Sequence, residues 1–245
     1  MTTCKNCGHT VEGKYCSHCR QDVHTERLTW KEIAQQVRHA TVDVDKGFFF
    51  TIREMFLRPG ATLRNYLDGK RVNYSNPFFF VLLTAGFASL LFMTYDVPLP
   101  VQSMNLERIE RLNPLVAQKY FVLVGTFFVV MLSVSDWILY RNARLNAAEF
   151  LVVNSFQAGQ VLVITLIFFP VLLIQDRYVD PGAINTGVRT LLKALIFLYL
   201  VWARWQLYSP TGPAWQKVVS IAQVVSLVLL YEFALAGFIM RSFFR

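Results

Sequence analysis

Beyond residue 19 this chain has no cysteine, and beyond residue 39 it has no histidine. Soft-metal and imidazole chemistry is therefore confined to a short N-terminal head. Charge is scarce as well. Asp, Glu, Lys and Arg make up 16% of the 245 residues, too few to cover a soluble core of this length. Glycine-rich phosphate or dinucleotide loops are missing, as is an HExxH pair, and no carboxylate pair converges in an apolar stretch. With no catalytic constellation, an enzyme is not expected. The net charge of +8 divides evenly about Pro77, twelve basic against eight acidic residues on either side. That leaves no concentrated basic patch of the kind that grips nucleic acid, so a nucleic-acid partner is not expected either.

What fills the chain is oil. Hydrophobic residues make up 54%, Phe alone occurs 21 times, and the mean hydropathy is +0.38. Five apolar runs, at about 77–94, 117–135, 150–174, 188–207 and 217–240, each approach the ~20 residues needed to cross a bilayer. The fold class expected is an all-α integral membrane protein with about five transmembrane helices and a small N-terminal zinc ribbon. Trp137, Tyr140, Trp202, Trp205, Tyr208 and Trp215 fall near span ends, as in aromatic belts. The first strongly apolar run begins near Pro77, too late for a cleaved secretory signal. An unprocessed head with two CxxC pairs of thiols, and a cluster of Arg58, Arg64, Lys70 and Arg71 before the first span, favour a head on the cytoplasmic side and a C-terminus outside, in a bacterial inner membrane. Counted as loop cations, Arg141, Arg144, Arg204 and Lys217 add to the inner side.

All four cysteines stand in two pairs, Cys4-Lys-Asn-Cys7 and Cys16-Ser-His-Cys19. Two CxxC pairs separated by eight residues suit a tetrahedral, closed site, with Cys4, Cys7, Cys16 and Cys19 as metal ligands and Zn2+ as the metal. Iron in a rubredoxin-like site and a redox dithiol are the alternatives. His9, His18 and His24 are read as solvated or as neighbours of the ligands. A metal is what folds a segment too short to bury a core. The expected domains are thus a ribbon over 1–26, amphipathic juxtamembrane helices over 27–76 and a helical bundle over 77–245.

Between head and bundle, Thr29-Trp-Lys-Glu32 fits a capping box, and Ile33, Val37, Ala40 and Val44 form a narrow apolar stripe of a helix closed by Gly47. Phe48-Phe-Phe50, Ile52, Met55, Phe56 and Leu57 alternate with Arg53 and Arg58, suiting either a helix in the membrane interface or one packed under the bundle. A short helix over 61–68 follows, ended by Gly69, and Asn76-Pro77 caps the first span.

Inside the spans, polar residues are expensive and so informative. Asn154, Gln157 and Gln160 recur every three residues as one polar edge, and Gln223 lies at comparable depth. Glu232 is expected to face inward and pair with Lys193, or with Arg189. Interhelical hydrogen bonding is the plainer reading; a substrate or water path is the alternative. Ala85, Gly86, Ala88 and Ser89, with Ala234, Ala236 and Gly237, are read as close-packing positions.

The order Cys4-Lys-Asn-Cys7-Gly8, Tyr15-Cys16-Ser-His-Cys19-Arg20-Gln21, Asp45-Lys46-Gly47-Phe48, Arg58-Pro59-Gly60, Tyr66-Leu67-Asp68-Gly69-Lys70-Arg71 and Pro77-Phe78 resembles an uncharacterised bacterial family, common in the Bacteroidota. That family joins an N-terminal zinc ribbon to several membrane spans. The resemblance covers about the first 90 residues and implies a metal at the four cysteines but no activity. The family usually has Gly after the last Cys; Arg20 stands there instead, at a cost of about 1 kcal/mol if the position needs a positive φ. The function expected is a membrane-anchored adaptor whose ribbon offers a cytoplasmic protein partner a surface, with homo-oligomerisation open. A transporter or channel-like component and a membrane-tethered nucleic-acid binder are the alternatives.

Overall fold

A computed structural model describes residues 2–23, 25, 27–39, 47–95, 114–140, 145–178, 183–208, 215, 218–223 and 225–226. Two short strands, β1 (Thr2–Thr3) and β2 (Thr10–Val11), pair antiparallel at the N-terminus with Thr3 opposite Thr10. Seven helices follow: α1 (Trp30–His39), α2 (Gly47–Leu57), α3 (Pro59–Leu67), α4 (Pro77–Thr94), α5 (Pro114–Leu139), α6 (Ala147–Tyr178) and α7 (Ala183–Tyr208).

The helices start where their side chains satisfy free backbone N–H groups. Thr29 and Glu32 form the expected capping box: the Thr29 amide donates to Glu32 Oε2 at 2.8 Å and the Glu32 amide to Thr29 Oγ1 at 3.4 Å. Asn76 Oδ1 accepts from the amides of Phe78 and Phe79, and Pro77 takes the first helical position. A second reciprocal cap opens α6, where the Asn146 amide donates to Glu149 Oε2 and the Glu149 amide to Asn146 Oδ1. Gly47 does not close the helix before it; it opens α2, with the Ser75 amide bound to Thr51 Oγ1 one turn along.

α6 is the hub of the bundle, packing against α4, α5 and α7 and touching α2 and α3. Its closest crossing is with α4, where Gly159 leaves room that a Cβ would take from the Phe80 ring. A second close crossing sets Gly60 of α3 against the backbone of Gln206 in α7. There Arg64 Nη1 donates to the carbonyls of Gln206 and Leu207, which lack intrahelical partners at the end of α7. Gly86, expected to allow close packing, is exposed, and a Cβ there would meet nothing within 4 Å. The contacts are made by Gly60 and Gly159 instead.

Among the described residues, three helices are long and apolar enough to cross a membrane: Pro77–Thr94, Ala147–Gln175 and Gly187–Tyr208. Five spans are not supported. The 117–135 run lies in α5, of which Gly125–Leu139 is a shorter apolar helix. The 217–240 run falls mostly outside the described residues, and Glu232, Ala234, Ala236 and Gly237 fall there with it. The outward faces match a lipid setting. On α7, Leu191, Leu195, Leu198, Trp202 and Trp205 are exposed at spacings of four, three, four and three, a continuous apolar stripe that water would penalise. The aromatic belt is narrower than expected, because Tyr140 and Tyr208 are buried and stacked on each other at 4.9 Å. As for α2, it buries Thr51, Glu54 and Met55 while leaving Phe49 and Leu57 exposed. It packs on the bundle with one face and is bare on the other.

Candidate metal centre and the buried polar cluster

The ribbon is one small motif used twice, twelve residues apart. The Gly8 amide donates to the Cys4 carbonyl at 2.9 Å and the Arg20 amide to the Cys16 carbonyl at 2.8 Å. In each copy the first cysteine's own amide reaches two residues past the second: Cys4 to His9 and Cys16 to Gln21. Thr3 opposes Thr10 as Tyr15 opposes Asp22. Both turns need a left-handed residue after the second cysteine. Gly8 supplies it at φ 75°, and Arg20 adopts φ 63°, the only non-glycine among the described residues with positive φ. The departure from the family pattern thus falls on a backbone position where it costs.

Folding the two turns against each other brings Cys4, Cys7, Cys16 and Cys19 together, with all four Sγ atoms within 4.8 Å of one another. Cys4 Sγ and Cys19 Sγ are 3.5 Å apart, as are Cys7 Sγ and Cys16 Sγ, and all four cysteines are free. A tetrahedral ion with metal–sulfur bonds of about 2.3 Å sets its sulfurs about 3.8 Å apart, so this donor set fits one. The thiols are strongly unlike. The Cys19 backbone amide leads the groups that draw the Cys16 thiol down to about 6. At Cys7 the His9 amide also pulls down, but desolvation and the neighbouring sulfurs outweigh it and push the thiol up to about 12. Four sulfurs this close could hold a metal ion, which would deprotonate them on binding. His9 and His18 are exposed and stacked on each other at 5.7 Å, outside the four-sulfur set; His24 lies outside the described residues.

The ribbon is fastened to the helices by side chains that sequence reading did not single out. Gln21 is buried; its Nε2 donates to the Gly69 carbonyl at 2.5 Å and its Oε1 accepts from the Arg71 amide at 3.2 Å. Gly69, at φ 99°, sits against the side chains of Lys5 and Thr25. A second strut follows at once. Arg27 makes a bidentate pair with the buried Glu149, Nε to Oε1 at 2.8 Å and Nη2 to Oε2 at 2.9 Å, while Asn146 Nδ2 donates to the Leu28 carbonyl. Glu149 therefore caps α6 and clamps the segment leaving the ribbon.

Within the bundle, Asn154 and Gln157 hydrogen-bond to charged side chains that sequence reading missed. Arg204, counted above as a loop cation, is buried inside α7. It pairs with Asp136 of α5, which is equally buried, through Nη1 at 2.7 and 2.8 Å. Arg204 Nε donates to Gln157 Oε1 at 3.1 Å and Nη2 to Asn154 Oδ1 at 2.5 Å. Asn154 Nδ2 returns bonds to Asp136 and Ser133. Gln160 and Gln223 are also buried, but no amide atom of either has a partner. Arg189 is buried too, and burial of Arg204 removes one member from the inner-side cations counted above. Lys193 is half-buried on α7, while its expected partner Glu232 lies outside the described residues.

A family model described as protein of unknown function (DUF3667) matches residues 45–88. The match covers α2, α3 and most of α4, the platform that carries Gly60, Gly69 and Arg71, and supports kinship with an uncharacterised family there. It does not reach the cysteines. No curated protein and no solved structure matches the chain.

Proposed function

We propose that this chain is a multi-pass inner-membrane adaptor. A zinc-loaded ribbon, held rigidly against the cytoplasmic end of the bundle, presents a docking surface to a protein partner. The observation that carries this reading is the double fastening of the ribbon, through Gln21 to the turn at Gly69 and Arg71 and through Arg27 to Glu149. A domain tethered only to lie near a membrane needs no such register. One that must offer a surface at a fixed height and angle does, because preorganisation lowers the cost of binding. Zinc is the metal we assign to the closed four-thiolate set, with iron as the alternative that the same donors would hold, and the reduced thiols suit the cytoplasmic side.

The ribbon carries Tyr15, 59% exposed with the Lys14 ammonium over its ring, and an exposed Arg20 five residues on. An aromatic flanked by cations is a common anchor for a protein contact. Transport has less support. The polar edge of α6 gives way beyond Gln160 to an apolar layer of Phe92, Ile164, Phe169, Leu172 and Leu192, which would obstruct a continuous path.

A photo-crosslinking residue at position 15 of the intact protein, activated in native membranes, tests the adaptor reading. One discrete protein adduct is expected, and it should vanish in the Cys16→Ser/Cys19→Ser variant while the variant stays in the membrane fraction. An adduct that survives loss of the metal ligands, or none at all, would count against it.

A further inference from the structure

We propose that Gln157 and Gln160 of α6 form an internal hydration site, a place inside the bundle that binds water at the foot of the Asp136–Arg204 pair. The argument begins with what the cluster has already used. Arg204 spends Nε, Nη1 and Nη2 on Gln157, Asp136 and Asn154. Asp136 accepts with both oxygens, and Asn154 is engaged at both ends of its amide. The charges cancel, so the cluster offers no net attraction to an ion.

What it leaves over is neutral and specific. Among the described residues, Gln157 Nε2 has no partner, nor does Gln160 Nε2 or Gln160 Oε1, although Gln157 is 4% and Gln160 0% exposed. Residues three apart on a helix share a face one turn along, so these atoms belong to one edge. Two N–H donors and one carbonyl acceptor supply three hydrogen bonds, the usual number that a buried water makes with its surroundings. An amide buried without partners is a costly arrangement in a membrane interior, and water is the smallest molecule that satisfies donor and acceptor together. The edge also has a floor: Val163 and Ile164, one turn further along, are buried and apolar, so the site is blind on that side.

The test uses the full-length protein in native membranes. Gln160→Cys and Val163→Cys place single thiols one turn apart on α6, each leaving a comparable gap. Methyl methanethiosulfonate, small and neutral, reacts only with thiols that water can ionise and reach, and peptide mass mapping separates these sites from the ribbon cysteines. Modification of Gln160→Cys at least tenfold faster than Val163→Cys is expected; equal rates would overturn the proposal. A second measurement needs no new thiol. If the amide of Gln160 is dry and unsatisfied, Gln160→Leu relieves it and raises the unfolding temperature in detergent. If it is hydrated, Gln160→Leu strands the water and Gln157 Nε2, and the temperature falls. A rise would sink the proposal whatever the labelling shows.

Discussion

The ribbon and the bundle are held together by opposite means. In the ribbon, buried apolar contact amounts to Cys4, Val11 and Cys16, with Cys19 and Val23 against them, and two of those three are metal-ligand candidates. Without the four cysteines almost no core would be left. The bundle buries large aromatic and aliphatic clusters around Phe80, Phe150 and Phe156, with one charged pair set among them. The lesson is that the same total polarity can be structural in one region and a burden in the other. Four sulfurs drive folding, whereas Asp136 and Arg204 must be fully paired merely to be tolerated.

The largest expected effect breaks that contrast at its metal side. Cys16→Ser with Cys19→Ser should release the ion and unfold residues 2–23, since metal binding to such sites supplies about 10–16 kcal/mol of folding free energy. Helices α4 to α7 should stay inserted. Metal analysis of the purified variant, with proteolysis of the head and fractionation of the membranes, checks both halves. Retained stoichiometric metal would mean that the ligand set is wrong.

Next comes the charged pair. Asp136→Ala leaves Arg204 buried without its counter-charge and should destabilise the bundle by about 3–5 kcal/mol, whereas Asp136→Leu with Arg204→Met should recover most of that loss. Unfolding midpoints in detergent decide it. If the double variant is as unstable as the single one, the pair does more than tolerate burial. The ribbon should keep its metal in both.

A smaller effect separates the two kinds of glycine. Gly60→Ala places a Cβ into the Gln206 backbone and should cost about 1–3 kcal/mol through overpacking. Gly86→Ala meets nothing within 4 Å and should be neutral or slightly stabilising, as Ala is the better helix former. Equal behaviour of the two would mean that α3 does not bear directly on α7.

How much of this was legible follows from sequence distance. The four-cysteine cluster was readable because its members lie within sixteen residues and repeat a spacing; the capping box at Thr29 and the cap at Asn76 were readable for the same reason. The Asn146–Glu149 cap carried a like signature and could have been found. Asp136 and Arg204 are 68 residues apart, and each looked like a span end from its own neighbourhood, so nothing local announced that they meet. Their shared depth was the one available signal, with Asn154 and Gln157 on a third helix at the same level. Gln21 was invisible in another way: a glutamine beside a knuckle reads as solvated until the turn at Gly69 is placed against it.

The smallest effect sharpens the comparison inside the ribbon itself, where the two knuckles differ at one backbone position. Arg20 holds φ 63° where its twin Gly8 holds φ 75°. A side chain in that region costs about 1–2 kcal/mol, and a glycine returns about 0.4–1 kcal/mol of that through the extra freedom of the unfolded chain. Arg20→Gly should therefore stabilise the loaded ribbon by somewhat under 1 kcal/mol, a few-fold gain in metal affinity by chelator competition. Gly8→Ala should move it the other way by a similar amount. Because Arg20 is exposed and its φ is set by the turn, Arg20→Ala should gain nothing. A gain from Ala equal to that from Gly would place the effect in the arginine's charge and not in its backbone.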